Sequence, residues 1–183
     1  MITIRSLLLG ASALIALAAG SNTTAVTAAP AMAENPFAQP STLPLHAPPF
    51  DKIKDTDYQP AIEEGMKQQL AEIDAIANSK EKPTFKNTVV AIEISGRMLD
   101  RATSAFFGVV QANTNDTLDK VQADEAPKLA DHNDAIFLNE KLFQRVKAVY
   151  DARDTLKLDP ESLQFLKITY NGLRPFGRPS VRF

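Results

Sequence analysis

Residues 87–112 read Asn-Thr-Val-Val-Ala-Ile-Glu-Ile-Ser-Gly-Arg-Met-Leu-Asp-Arg-Ala-Thr-Ser-Ala-Phe-Phe-Gly-Val-Val-Gln-Ala, and the reading of this run decides the fold. At about 100° per residue, Val89, Ile92, Ile94, Met98, Leu99, Phe106, Phe107, Val109 and Val110 cover roughly two thirds of a helical wheel. Glu93, Arg97, Asp100 and Arg101 share the narrow remaining arc. Glu93 to Arg97 is a favourable i,i+4 pair, worth only a few tenths of a kcal/mol. A surface helix needs an apolar stripe a little over 100° wide, whereas one apolar over most of its circumference is buried in a larger protein. The spacing predicts one helix through the whole run, within an all-α architecture whose other helices are too few to surround it.

The flanking segments are helical too. Upstream, Asp57 is the expected N-cap and Pro60 falls in the first turn, where a missing N–H is tolerated. Ile62, Met66, Leu70 and Ile73 then make one stripe, and residues 78–86, with Pro83, read as a linker. Downstream, residues 113–116 are a polar turn before a weaker helix with Leu118, Val121, Ala126 and Leu129, which Pro127 should kink or split. Asn139 caps a helix with Leu142, Phe143, Val146, Val149 and Tyr150 on one face. Asp159-Pro160-Glu161 supplies a cap, a first-position proline and a first-turn acid for a last helix striped by Leu163, Leu166 and Tyr170. No alternating strand pattern, internal repeat or glycine-rich loop is present. Residues 34–50 form an extended arm, denied helix by Pro36, Pro40, Pro44, Pro48 and Pro49. Its apolar Phe37, Leu43, Leu45 and Phe50 suit an arm draped over a larger body.

Residues 1–33 read as a secretory signal. Arg5 gives a positive start, Leu7 to Ala19 an apolar core, and Ala31-Met32-Ala33 an A-x-A cleavage site at Ala31 and Ala33. A membrane-spanning helix needs about 20 consecutive apolar residues. The expectation is therefore an exported chain, periplasmic, with no stable membrane anchor after cleavage. No cysteine follows the apolar core, which excludes a lipoprotein linkage.

Composition excludes several chemistries. The 183 residues include no Cys, no Trp and two His, with 20 Lys and Arg against 22 Asp and Glu. A disulfide framework, a cysteine-bearing zinc site and a three-histidine site are impossible. The net charge of −2 gives no basic footprint for nucleic acid. A zincin site needs two His one helical turn apart with a Glu beside the first. His46 lies in the arm, where it reads as a packing residue, and His132 lies in Ala130-Asp131-His132-Asn133-Asp134, which reads as a solvated helix face or a weak ligand pair. Serine catalysis lacks an elbow and an oriented base. The adjacent acids Glu63-Glu64 and Asp124-Glu125 diverge by about 100° on a helix and read as solvated surface. Phe106-Phe107 beside Val109-Val110 could line a ligand groove, but core packing is the better reading. No catalytic, cofactor-binding or metal-ligating residue is assigned.

Several segments nonetheless resemble one family. They are Glu34-Asn35-Pro36-Phe37, Leu45-His46-Ala47-Pro48-Pro49-Phe50-Asp51-Lys52-Ile53, Tyr58-Gln59-Pro60-Ala61-Ile62 and Pro83-Thr84-Phe85-Lys86-Asn87-Thr88. Ser95-Gly96-Arg97, Ala112-Asn113-Thr114-Asn115-Asp116 and Glu125-Ala126-Pro127-Lys128-Leu129 follow in order. The stretch from about Glu34 to Gly172 resembles the start of the bacterial dipeptidyl carboxypeptidases (peptidyl-dipeptidases), among the thimet-oligopeptidase-like zinc metallopeptidases. The resemblance implies an almost wholly helical, two-lobed periplasmic enzyme that releases C-terminal dipeptides from oligopeptides held in a deep channel, with its N-terminal helices covering that channel. Its zinc would be held by a His-Glu-x-x-His motif and an acidic ligand far downstream, for which this chain has no counterpart. On this reading residues 51–172 are the helical N-terminal region, the C-terminal catalytic region is a missing partner, and this chain alone binds no zinc and is inactive.

The likeness stops at residues 173–183, Leu-Arg-Pro-Phe-Gly-Arg-Pro-Ser-Val-Arg-Phe. One choice of codons for this tail, read one base later, gives Phe-Val-Arg-Ser-Gly-Ala-Gln, which looks like the family's own continuation. The expectation is a frameshift after Gly172. The alternative is a stand-alone periplasmic helical protein that binds peptides or regulates without catalysis.

Overall fold

The computed structural model describes residues 32–174. The signal reading of residues 1–31, with the cleavage residue Ala31, and most of the aberrant tail lie outside that range, while Ala33 sits exposed in a short helical turn. Every regular element among the described residues is helical. Helix α1 is Asp55–Ala77, α2 Arg97–Ala112, α3 Asp116–Phe137, α4 Glu140–Asp151 and α5 Pro160–Gly172. A π-helical segment, Phe85–Val90, and the single turn Ala91–Glu93 precede α2.

The stretch that looked like one broad apolar helix is two helical pieces joined at Gly96. Gly96 takes φ +70°, a left-handed conformation that side chains rarely adopt. Its N–H donates to Glu72 Oε2 at 2.7 Å, and a Cβ there would lie 2.4 Å from the Gln69 side chain. The break explains the wheel. Beyond it, α2 buries Met98, Leu99, Ala102, Ala105 and Phe106, a narrow face. Before it, the π-helical segment buries Thr88 and Val89 against a different part of the core. Two ordinary faces, plotted as one helix, sum to a false continuous one.

The core accordingly has two centres. The first gathers Phe37, Tyr58, Ile62, Met66, Leu99 and Phe106 among others, and the second Ile73, Val89, Phe143, Val146, Tyr150 and Tyr170. Helix α1 runs through both. Helix α2 returns antiparallel to it, with Tyr58 and Phe106 ring centroids 5.3 Å apart at one end and Gly65 against Leu99 near the middle. Helix α3 lies parallel to α1, since Gln59 bonds Glu125 and Gln69 bonds His132. In the second centre Tyr150 and Tyr170 stack face to face at 4.0 Å, joining α4 to α5.

Caps fix the helix ends. Asn139 Oδ1 accepts from Leu142 N at 3.0 Å and Asp159 Oδ1 from Ser162 N at 2.9 Å, as the sequence predicts. Asp57 is not the cap of α1. The helix starts two residues earlier, and the Asp57 carboxylate reaches back to the Lys54 N–H at 2.8 Å. Pro127 does not split α3, which runs unbroken through it. The proline and Ala123, whose carbonyl loses its partner, are both exposed, so the break in the ladder falls on the solvent side of the helix.

The arm is anchored at one end only. Phe37 is buried with its ring 5.5 Å from Tyr58. Its carbonyl accepts from Arg101 Nη2 at 3.0 Å, and Asn35 Nδ2 donates to the Asp57 carbonyl at 2.9 Å. Leu43, Leu45 and Phe50 are exposed, and Leu45 is fully so.

The linker after α1 hangs on a buried cation. Arg145 is 7% exposed, and its Nη1 donates to the carbonyls of Ser79 and Glu81 at 2.8 and 2.9 Å. Arg145→Met keeps the apolar stem and strips the donors. We expect a loss of about 2 kcal/mol in urea unfolding, because partly buried carbonyls lose charge-assisted bonds. Amide exchange over residues 79–88 should accelerate in the same variant.

Candidate functional site

The two histidines serve separate parts of the molecule. His46 sits on the exposed arm with φ +55°, its Nδ1 within 2.8 Å of the Ser41 carbonyl. It lines a small cleft between the arm and α2 with Ser41, Asp100, Arg101 and Ser104. It is therefore exposed rather than packed. His132 is the reverse of the sequence expectation: it is 5% exposed and faces α1, not solvent. Gln69 Nε2 donates to Ser95 Oγ at 3.4 Å, which turns Gln69 Oε1 toward the imidazole, so His132 Nε2–H donates to it at 2.7 Å. Gln69 thus ties α1 to the turn before α2 and to α3 at once. His132 Nδ1 is buried without a partner.

Glu125 is likewise inside, at 1% exposure, where Asp124-Glu125 reads from sequence as surface. Its Oε1 accepts from Gln59 Nε2 at 2.9 Å and from Lys128 Nζ at 2.8 Å, while Lys128 also pairs with Glu63. Those two carboxylates hold the Lys128 ammonium pKa well above its ordinary value. Glu64 pairs with Lys67 and Gln68, and Asp124 with Lys120. The acidic pairs are committed to helix–helix and intrahelical bonds, with Glu63 and Glu125 converging on the Lys128 ammonium. A periodicity signal for the buried pair did exist. Leu118, Glu125 and His132 recur at seven-residue steps, and Val121 and Ile136 fall on the same face.

Burial pushes the His132 pKa below 6.5, its ordinary value. The fold therefore prefers the neutral ring. Its contribution to stability is complete above about pH 6.5 and declines as pH falls toward the lower folded value, because the unfolded chain takes up the proton first. The urea midpoint should fall between pH 7 and pH 5, and His132→Gln should flatten that part of the slope.

The donors among the described residues do not converge into a zinc site. The helical histidine spends Nε2 on Gln69, the other histidine lies on the arm, and among the described residues no group of three or more His, Cys, Asp or Glu converges.

What the surface does offer is an open groove along α5. One reach of about 540 Å³ lies between the π-helical segment and α5, lined by Phe85, Val90, Glu93, Glu161, Phe165 and Ile168. A second reach continues past Ile92, Phe137, Phe165 and Ile168 to Gly172 and Leu173. Of its lining, Ile168 is 59% and Phe137 49% exposed. Sequence reasoning placed the unpartnered apolar surface on residues 87–112. The groove takes Val90 and Ile92 from that run, with Ile94 exposed outside its lining, and Phe85, α5 and the end of α3 supply the other apolar walls. Phe106 is in the first core centre, with Phe107 packed partly buried against it, so core packing is the correct reading of that pair.

No protein-family model matches the chain. The dipeptidyl carboxypeptidase of Escherichia coli (strain K12) is 45% identical over 136 residues, which is 74% of this chain and 20% of that protein. The Salmonella typhimurium (strain LT2) dipeptidyl carboxypeptidase is 44% identical over 139 residues, 76% of this chain and 20% of that protein. The chain is homologous to dipeptidyl carboxypeptidases. It spans about one fifth of the length of the curated relatives it matches. The left-handed Gly96, the buried Glu125 and the Phe37 anchor all lie within segments that resembled the dipeptidyl carboxypeptidases from sequence, and in this structure each contributes to contacts that hold the helices and the arm together.

Proposed function

We propose that this chain is the N-terminal helical part of an exported, zinc-dependent dipeptidyl carboxypeptidase that removes C-terminal dipeptides from oligopeptides in the periplasm. The observation that carries the reading is near-half identity sustained over three quarters of the chain, against one fifth of each relative. In the intact enzyme these helices cover the substrate channel. The metal and its general base belong to the remaining four fifths, and this chain supplies architecture: a two-centred helical body in which the buried His132 and Glu125 are spent on bonds between helices. The signal-like residues 1–33 support export.

Two measurements test this. Purified chain should release no dipeptides and hold no stoichiometric zinc, and the DNA downstream of Gly172 should contain a frame encoding His-Glu-x-x-His. Dipeptide release by the chain alone would overturn the reading. A stand-alone peptide-binding role is favoured by the groove along α5, and would be recognised as saturable, cleavage-free oligopeptide binding with no such downstream frame.

A further inference from the structure

We infer that the groove along α5 is a docking seat for the catalytic remainder of the peptidase, an apolar surface with a basic rim; this rests on the reading above. Three features point to that occupant. The exposed large apolar side chains Phe137 and Ile168 line one continuous depression together with the partly buried Val90, Ile92 and Phe165. Such a contiguous patch marks a protein interface rather than ordinary surface. Glu93 and Glu161 stand on its edge, which suits lysine or arginine opposite. Finally, Gly172 and Leu173 line the groove's end, so polypeptide continuing past α5 starts from the seat itself. About four fifths of each relative's length lies outside the match, and a short tether would hold that mass against the groove at high effective concentration.

The isolated chain would then expose the seat. The test is co-synthesis of the full chain, carrying an affinity tag, with the Escherichia coli dipeptidyl carboxypeptidase lacking its matched stretch. Wild type is compared with the double variant Phe137→Asp, Ile168→Asp and with Ala126→Asp, which puts an aspartate on the exposed face of α3 away from the groove. The expected result is that wild type and Ala126→Asp retain the remainder, while the double variant retains roughly thirtyfold less or worse. Circular dichroism should show native helix content in all three, since both substituted side chains are half exposed. A hydrophobic dye should bind the free wild-type chain and Ala126→Asp, and bind the double variant far less.

Retention by all three variants overturns the groove and leaves the fragment reading intact. Retention by none overturns both. A wild-type dimer that the double variant dissolves would assign the groove to a second copy of the chain, again against the proposal. Absence of dye binding by free wild type would mean the seat is already covered, and would overturn it too.

Discussion

Phe106→Ala should lower the unfolding free energy by about 4 kcal/mol, the largest loss from any single side chain of the first core centre. The ring is fully buried and stands between two other rings, 5.3 Å from Tyr58 and 5.2 Å from Phe107. Removing it deletes the buried surface of a large side chain and leaves a cavity that aromatic neighbours on two helices cannot collapse to fill. The consequence extends beyond α2. Tyr58, set by Phe106 on one side, packs Phe37 on the other, and Phe37 is the apolar anchor of the arm. Limited proteolysis within residues 34–50 should therefore quicken in Phe106→Ala under conditions where the helices still form. A variant that loses stability but keeps the arm equally protected would separate the two effects and refute the chain of rings.

Gly65→Val should cost about 3 kcal/mol, and the reason is backbone rather than side chain. A Cβ on Gly65 would lie 2.7 Å from Leu99 Cα and 2.8 Å from Leu99 N. Neither atom can swing aside, so α1 and α2 must separate along their contact, and overpacking of this sort is destabilising by about 1–3 kcal/mol or more. Valine adds two branches to that clash and loses rotamer freedom in a helix. Gly108 is the control: a Cβ there meets nothing within 4 Å, on the exposed side of α2. Gly108→Ala should stabilise by about 0.5–1 kcal/mol through helix propensity alone. Opposite signs in urea unfolding for two helical glycines would establish that the first is held by close approach of backbones.

Sequence reading went furthest where chemistry is local. Asn139 and Asp159 each satisfy their own helix's first N–H groups, so a cap residue ahead of an apolar period was enough to place α4 and α5. The stripe of Leu142, Phe143, Val146, Val149 and Tyr150 is buried as expected, and of Leu163, Leu166 and Tyr170 the last two are buried and Leu163 partly so. Reading failed where a residue's role is set by a partner far along the chain. Glu125 is interior because Gln59, 66 positions away, donates to it, and His132 because Gln69 accepts from it across 63. A search for apolar periods passes over both. Ala126, taken as part of the α3 stripe, is exposed because Glu125 holds the inward position. Gly96 was missed for a related cause: its left-handed turn is fixed by Glu72 on another helix, while Arg97, Met98 and Leu99 directly after it are strong helix formers. The groove was legible only as an excess of apolar residues, since its walls come from three separate segments.

The turn at Gly96 also resets helical phase. Residues before it answer to one core centre and residues after it to the other, so neither has to keep angular register with its neighbour across the joint. A single residue inserted in the turn would shift the pieces along the chain without rotating either buried face. The same insertion at Ala102 would rotate Ala105 and Phe106 by about 100° and carry the ring out of its pocket. The apolar run of residues 87–112 is in this sense two independent words written without a space, and Ser95-Gly96 is the joint between them.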